Sequence, residues 1–182
     1  PGAPGSRVNG QRILVVRLGS MGDVIHTLPA VASLKHSFPH SKLTWAVDSR
    51  WAPLLASNPF LDEVAELSRK SASAFWDLGR RLRTSRYDFA VDFQGLIKSA
   101  VVASLSRADR IFGFHRSQLR ERLASLFYSS QRQTQPGHIV DQNLELAASA
   151  GASSIVKQFP LPEGTPEGDL PPGDFLLACP LA

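Results

Sequence analysis

A glycine-bracketed turn followed directly by a carboxylate is the first feature of this sequence that could do chemistry. The turn spans residues 19–22 (GSMG), follows the apolar run 13–16 (ILVV), and is followed by Asp23. The backbone N–H groups of such a turn, at the start of a helix, can hold an anion. Asp23 has two interpretations. It can cap the helix, whose dipole lowers its pKa, or it can act as a catalytic base.

A second stretch with the same character is DFQGLIKS, residues 92–99, which follows the apolar residues 89–91. Gln94 and Lys98 can donate hydrogen bonds to hydroxyl and anionic groups, and Gly95 permits a ligand to approach the backbone closely. The alternative interpretation is a capped helix with a solvated lysine. Neither stretch contains GxGxxG or GxxxxGK[ST], so a dinucleotide site or a P-loop has weak support.

Basic residues are concentrated in the first part of the chain. Residues 1–132 contain 19 Lys and Arg against 10 Asp and Glu, whereas residues 133–182 contain one against six. Arginine runs at 69–86 and 107–122 are typical of a solvated face, although arginine also binds phosphate and carboxylate bidentately. The charge favours an anionic partner and leaves nucleic acid, a phosphorylated sugar and an anionic membrane surface open. The histidines show no metal-ligand spacing.

Short apolar strands alternate with helical patterns, which predicts a parallel sheet in a Rossmann-like α/β sandwich. In such a sheet, ligands bind beyond the carboxyl ends of the strands, where both stretches described above begin. The tryptophans are expected to be packing residues. The predicted strands are residues 13–16, 43–47, 64–67, 89–91 and 110–114.

Helical spacing makes two more local predictions. Pro29 interrupts the helix that follows the first turn, so a kink or a restart is expected there. Leu119, Leu123, Leu126 and Phe127 recur at the spacing of an amphipathic helix.

Composition predicts a globular protein in a reducing compartment. The chain has 182 residues, is 43% hydrophobic and contains one cysteine. No apolar run approaches the roughly 20 residues that span a bilayer, so a cytoplasmic location is expected. The domain organisation is predicted as a disordered leader (1–11), an N-terminal domain (12–159), an interdomain linker (160–173) and the first strand of a truncated second domain (174–182).

Three stretches together resemble a known family. Residues 17–30 (RLGSMGDVIHTLPA) look like the N-terminal signature of the bacterial lipopolysaccharide heptosyltransferases, glycosyltransferase family 9. Residues 87–100 (YDFAVDFQGLIKSA) are similar to the second block of the family. Residues 120–128 (RERLASLFY) resemble a segment of heptosyltransferase I.

The resemblance implies the N-terminal, acceptor-binding half of a GT-B fold, in which two Rossmann-like domains face a cleft. It implies transfer of L-glycero-D-manno-heptose from ADP-heptose to a Kdo residue of the lipopolysaccharide inner core, with no metal and no other cofactor. The catalytic base of the family falls on Asp23. Acceptor contacts are expected from Ser20, Met21, Gly22, Arg69, Lys70, Gln94, Gly95, Lys98 and Arg120.

The implied partners are Kdo-lipid A, ADP-heptose through the missing donor-binding domain, and the anionic inner face of the inner membrane, contacted peripherally without insertion. The isolated chain is expected not to turn over. Four alternatives stay open. They are a family 9 enzyme with a heptosyltransferase II- or III-like acceptor, a Rossmann-like module that binds ADP through residues 19–22, a nucleic-acid-binding domain, and a non-catalytic fragment retained for interaction only. The acceptor hydroxyl and the oligomeric state do not follow from the sequence.

Overall fold

Six parallel strands form the centre of the molecule, in the order β3-β2-β1-β4-β5-β6. The computed structural model describes residues 10–68, 73–164 and 173–174. The order reverses between β1 and β4, as in Rossmann folds, which confirms the predicted sheet. The strands are β1 (Arg12–Val16), β2 (Lys42–Asp48), β3 (Glu63–Leu67), β4 (Phe89–Asp92), β5 (Arg110–Phe114) and β6 (Ser130–Arg132).

Helices cover both faces of the sheet. Helix α1 packs against α4, whereas α3 packs against α2 and a 3₁₀ helix at Arg122–Phe127. Right-handed crossovers between parallel strands place these two groups on opposite faces. A further 3₁₀ helix spans Ala52–Leu55. The α-helices are α1 (Met21–Ser37), α2 (Ala74–Arg83), α3 (Ile97–Leu105) and α4 (Ile139–Ser149).

The core lies on both faces of the central strands. All four residues of the run 13–16 in β1 have no solvent exposure. Strands that are buried on both faces appear in a sequence as continuous apolar runs, which is why this strand was predictable. None of the helices in the described ranges has the length and hydropathy needed to cross a bilayer.

Pro29 does not restart α1, which runs without a break from Met21 to Ser37. Of the predicted kink or restart, the restart is therefore wrong, and the kink stays a prediction. Pro29 and the five residues that follow it are buried. The packing of this stretch against α4 compensates for the backbone hydrogen bond that a proline cannot donate.

The predicted amphipathic helix over residues 119–127 is also wrong. The structure has a 3₁₀ helix, Arg122–Phe127, in which Ala124 and Ser125 are buried while Leu123 and Leu126 face solvent. The apolar spacing was read at 3.6 residues per turn, but the segment turns every three residues. Strand β6 (Ser130–Arg132) was missed because its three residues are polar.

The predicted leader and second-domain strand fall almost entirely outside the described residues. The structure describes residues 10–11 of the leader, 160–164 and 173 of the linker, and 174 of the last segment. These boundaries stay predictions.

Candidate active site

A pocket of about 490 Å³ opens at the carboxyl edge of the sheet. We call it the carboxyl-edge pocket. It is lined by the segments that follow β1, β2 and β4, together with Arg120, which follows β5. The β1 and β4 segments lie at the point where the strand order reverses, which is where open α/β sheets bind ligands.

The structure brings together half of the ten residues predicted to form the site. Met21, Gly22 and Gly95 lie in the same turns but are not part of the pocket wall, and Met21 is exposed at the start of α1. Arg69 and Lys70 lie outside the described residues. The predicted residues that line the pocket are Ser20, Asp23, Gln94, Lys98 and Arg120.

Asp23 both caps α1 and lines the pocket. Its Oδ2 accepts hydrogen bonds from the backbone N–H of Ser20 (3.1 Å) and from the Ser20 hydroxyl (3.2 Å). Its Oδ1 lies 2.7 Å from Nη2 of Arg17, and the carboxylate side chain is 39% exposed. Capping the helix and acting as a catalytic base are therefore compatible roles for the Asp23 side chain.

Two opposing effects act on the pKa of Asp23. Partial burial raises the pKa, but the charge of Arg17 and the hydrogen bonds from Ser20 and Arg17 outweigh that effect. The pKa is held below its usual value, in the direction expected for the first turn of a helix. Asp23 is therefore ionised at neutral pH and available to accept a proton, although a lowered pKa makes it a weaker base.

Arg17 joins the β1 turn to the β4 segment. It is 6% exposed, pairs with Asp23 and donates a hydrogen bond from Nη1 to the backbone carbonyl of Phe93. A second link runs beside it, because the backbone N–H of Leu18 donates to Oε1 of Gln94 at 2.7 Å. These contacts hold Asp23 and Gln94 in fixed relative positions across the switch point.

A fully buried carboxylate, Asp92, shapes the β4 segment. Its Oδ1 accepts from the backbone N–H groups of Gln94 (2.9 Å) and Gly95 (3.3 Å). Its Oδ2 accepts from the hydroxyls of Ser99 (2.8 Å) and Tyr128 (2.7 Å). Burial raises the pKa of Asp92, although these four donors favour its charged form. Asp92 positions the segment and does not line the pocket.

The pocket combines two carboxylates, the half-exposed Asp23 and the buried Asp48, with several cations. Lys98 lies over the Phe75 ring, with Nζ 5.0 Å from the centroid. The described residues contain no group of three or more His, Cys, Asp and Glu side chains arranged to hold a metal ion. Cations can hold an anionic, hydroxyl-bearing ligand while Asp23 accepts a proton from one of its hydroxyls.

Comparison with known proteins identifies the family of this chain. The model of glycosyltransferase family 9 (heptosyltransferase) matches residues 75–173. The chain belongs to glycosyltransferase family 9. It is 32% identical over 163 residues to lipopolysaccharide heptosyltransferase 1 of Pseudomonas aeruginosa, covering 84% of this chain and 44% of that protein. Its identity to the Salmonella typhimurium heptosyltransferase 1 is 31% over 168 residues, covering 81% and 53%.

Solved structures of the family have the same fold. The Escherichia coli heptosyltransferase WaaC with ADP-2-deoxy-2-fluoro heptose superposes with a TM-score of 0.72 at 29% identity, covering 81% of this chain and 50% of that one. A family 9 protein from Veillonella parvula gives 0.74 at 19% identity, covering 89% and 48%, and supports the fold alone. The chain spans about half the length of the relatives it matches.

Sequence reasoning about this family 9 chain missed the part of the pocket that follows β2. Asp48, Arg50 and Trp51 line it, and the Arg50 guanidinium lies 5.5 Å from the centroid of the Trp51 ring. Trp51, expected to be a packing residue, both packs on the core and lines the pocket. A Cβ on Gly19 would lie 2.9 Å from Nε1 of Trp51, so the glycine permits this close approach. The signal was available, because β2 was predicted and its carboxyl end meets the same edge.

Proposed function

We propose that this chain is the acceptor-binding half of a lipopolysaccharide heptosyltransferase. The whole enzyme transfers L-glycero-D-manno-heptose from ADP-heptose to a Kdo residue of the inner core. One observation carries the proposal: an ionised, partly exposed Asp23 lines the same pocket as a set of cationic side chains. These are Arg50, Lys98 and Arg120, beside the buried Arg17 that pairs with Asp23.

The chemistry of the acceptor fits that set. Kdo carries a carboxylate and lipid A carries phosphates, which arginine and lysine bind through charge-assisted hydrogen bonds. Asp23 accepts the proton of the acceptor hydroxyl as its oxygen attacks the anomeric carbon of the heptose. A carbon–oxygen bond forms there, the bond to the diphosphate breaks, and ADP leaves with the electron pair. No step of this scheme uses a metal.

The donor belongs on a second domain in this proposal. Residues 12–159 form the acceptor-binding domain, 160–173 the linker, and 174–182 the first strand of the donor-binding domain. The proposed location is the cytoplasm, at the inner face of the inner membrane, because the acceptor is anchored there. Heptosyltransferase I is the proposed subtype, supported by the heptosyltransferase 1 relatives and by residues 120–128. A II- or III-like acceptor is the alternative.

Isothermal titration calorimetry tests the choice of ligand. The chain is titrated with a delipidated, Kdo-containing inner-core acceptor and, separately, with ADP-heptose. We expect the acceptor to bind and Arg120→Ala to weaken it by roughly tenfold or more, since a hydrogen bond to a charged group is lost. Asp23→Asn is expected to change acceptor affinity less than about threefold, because a base acts on the reaction rather than on binding. Binding of ADP-heptose without acceptor binding would favour the nucleotide-binding module instead.

Two transfer assays test whether the chain needs a donor-binding domain and whether Asp23 acts in the reaction. The 182-residue chain alone is expected to form no heptosylated product, and product formation would contradict the domain assignment. In a fusion to the donor-binding half of the Pseudomonas aeruginosa relative, Asp23→Asn is expected to lower the rate at least about 100-fold. Equal rates for the fusion and its Asp23→Asn variant would remove Asp23 from the mechanism.

A further inference from the structure

Helix α3 begins without a cap from its own N-cap residue. That residue is Leu96, whose side chain cannot accept a hydrogen bond, and the first turn of the helix contains no acidic residue. Helix α1, by contrast, contains Asp23 in its first turn. Because the first N–H groups of a helix have no partner within the helix, the start of α3 needs an acceptor from elsewhere.

A carboxylate from a distant part of the chain supplies this acceptor. Glu121 lies in the connection between β5 and β6, 24 residues from Ile97, and its Oε2 accepts the Ile97 backbone N–H at 2.7 Å. Ile97 is the first residue of α3, so the negative charge also interacts favourably with the helix dipole. Glu121 does not line the carboxyl-edge pocket. Its carboxylate fixes the β5–β6 connection to the start of α3.

A second contact fixes the same connection two residues earlier. Leu119 is 8% exposed, and an added Cβ on Gly95 would lie 2.5 Å from its Cδ2. The Leu119 side chain therefore packs directly against the backbone of Gly95, just before α3. Contacts at 119 and 121 thus hold the chain on both sides of Arg120.

Arg120 has no comparable contact of its own. Its side chain is exposed, lines the carboxyl-edge pocket, and forms no ion pair or hydrogen bond with any residue in the described ranges. A long, flexible side chain loses conformational entropy when it binds a ligand, and a fixed backbone reduces that cost. The position of Arg120 at the pocket therefore depends on its two neighbours.

We propose that Glu121 is a positioning residue for acceptor binding, which holds Arg120 at the carboxyl-edge pocket by capping α3. The inference rests on the proposed function, in which Arg120 binds an anionic group of the acceptor. It makes a prediction opposite in sign to that of simple charge. Removing a negative charge near the pocket should strengthen the binding of an anion, whereas loss of positioning weakens it.

Isothermal titration calorimetry with the delipidated, Kdo-containing acceptor separates these two effects. Glu121→Ala is expected to weaken binding about fivefold, within the range of couplings between neighbouring residues. Glu121→Gln retains a side-chain oxygen that can accept the Ile97 N–H, so its affinity is expected within about twofold of the unmodified chain. Since both variants lose the same charge, their difference reports the hydrogen bond.

A double-mutant cycle tests whether Glu121 acts through Arg120. The variant with both Glu121→Ala and Arg120→Ala is expected to bind the acceptor within about twofold of Arg120→Ala alone. Two independent, additive losses would show that Glu121 does not act by positioning Arg120.

Glu145→Ala is the matched control. Glu145 is half-buried in α4, and its Oε2 accepts the backbone N–H of Gln135 at 3.2 Å. Helix α4 packs on α1, on the face of the sheet opposite α3. The control variant loses the same charge and the same kind of contact. Its acceptor affinity is expected within about twofold of the unmodified chain, since distant charges are screened.

Amide hydrogen exchange without ligand tests the contact itself. Exchange of the Ile97 amide is expected to accelerate at least about fivefold in Glu121→Ala and much less in Glu121→Gln, because only the first loses its acceptor. The remaining amide resonances show whether each variant is folded. If Glu121→Ala does not fold, Glu121→Asp replaces it, because its carboxylate is one methylene too short for Ile97 and binding is expected to weaken in the same direction.

Three results would overturn the inference alone. They are unchanged or tighter acceptor binding by Glu121→Ala, equal losses in Glu121→Ala and Glu121→Gln, and an equal loss in Glu145→Ala. Failure of the unmodified chain to bind the acceptor would overturn the proposed function and this inference with it. The unmodified chain therefore distinguishes the failure of the proposed function from the failure of the positioning role.

Discussion

Two arginine-lined pockets lie at opposite edges of the same sheet. The carboxyl-edge pocket, of about 490 Å³, contains Asp23. A second pocket, of about 410 Å³, lies where the chain enters β4 and β5, and we call it the amino-edge pocket. They are similar in volume and in cationic character. The amino-edge pocket is lined by Arg83, Arg86, Tyr87, Ser106, Arg107 and Asp109.

The two pockets differ in how their charged groups are held. At the carboxyl edge, Arg17 is buried, pairs with Asp23 and bonds to a carbonyl of the neighbouring segment. At the amino edge the arginines are exposed, and Arg83 donates to the carbonyl of Leu105, on the next helix. None of the amino-edge arginines pairs with a carboxylate of the described chain. The candidate site is therefore distinguished by the fixed positions of its charged side chains, rather than by the number of arginines.

Removing the Asp92 carboxylate should have the largest effect on the organisation of the carboxyl edge. Asp92→Ala removes the acceptor of four donors, of which the Ser99 hydroxyl keeps a second acceptor, the Leu96 carbonyl at 2.9 Å. We therefore expect the free energy of unfolding to fall by about 3 kcal/mol or more. Denaturant titration measures this. Asp109→Ala at the exposed amino edge is the control, expected within about 0.5 kcal/mol of the unmodified chain. Equal effects of the two substitutions would show that the carboxyl edge is no better organised.

Arg17→Met should release Asp23 from its ion pair. The pKa of Asp23, measured by carboxyl ¹³C NMR, is expected to rise toward its usual value because the opposite charge is gone. The loss of stability at neutral pH is expected to be only about 1–2 kcal/mol, since Asp23 is 39% exposed and solvent screens the pair.

The same variant makes a prediction about pH. A carboxyl with a lowered folded-state pKa stabilises the protein above its unfolded-state pKa of about 4, and the effect disappears as pH falls through the folded-state value. The stability difference between the unmodified chain and Arg17→Met should therefore be full at neutral pH and shrink in acid below about pH 4. A difference that stays constant down to pH 2 would contradict an ionic role for Arg17.

The sequence predicted more of the sheet than of the site. Apolar runs identified β1, β2, β4 and β5 because a strand buried on both faces leaves a continuous pattern. The short strand β3 was also predicted, although its residues alternate in burial. Asp23, Gln94, Lys98 and Arg120 were placed in the pocket by motif. Arg17 and Asp92 were inside the quoted motifs, but their roles depend on contacts with Phe93 and Tyr128 that local spacing does not reveal.

The misplaced features have a common physical cause. Tertiary packing decided them, not local propensity. Pro29 sits in an unbroken helix because its surroundings are buried. Within residues 119–127, the 3₁₀ helix at Arg122–Phe127 exposes Leu123 and Leu126, whereas Leu119 is buried.

Arginine substitutions at the two edges should distinguish direct contact with the acceptor from an effect of net charge. Arg50→Ala is expected to weaken acceptor binding about tenfold, because it removes a cation that lines the carboxyl-edge pocket. Arg107→Ala changes the net charge equally at the amino edge and is expected to alter affinity less than twofold, since distant exposed charges are screened by roughly 0.1 M salt. Calorimetry compares them, and similar losses would mean that the acceptor responds to overall charge.

Alanine substitutions at Gly95 and Gly22, the two glycines predicted at the site, should change stability in opposite directions. Their effects should be the smallest of those predicted here. Gly95 has φ +71° and an added Cβ would lie 2.5 Å from Leu119 Cδ2, so Gly95→Ala should cost about 1–2 kcal/mol. Gly22 lies in α1 with nothing within 4 Å of an added Cβ, so Gly22→Ala should be neutral or stabilise by up to about 0.5 kcal/mol. Thermal unfolding measures both, and a costly Gly22→Ala would indicate an unrecognised constraint on the turn.

One NMR titration tests the central claim most directly. The ¹⁵N-labelled chain is titrated with the delipidated, Kdo-containing acceptor, and the amide shifts are mapped onto both edges of the sheet. We expect the largest shifts at Ser20, Gln94 and Gly95, with the amides of Ser106 and Arg107 unmoved. Shifts concentrated at the amino edge, or spread equally over both edges, would contradict an acceptor site built around Asp23.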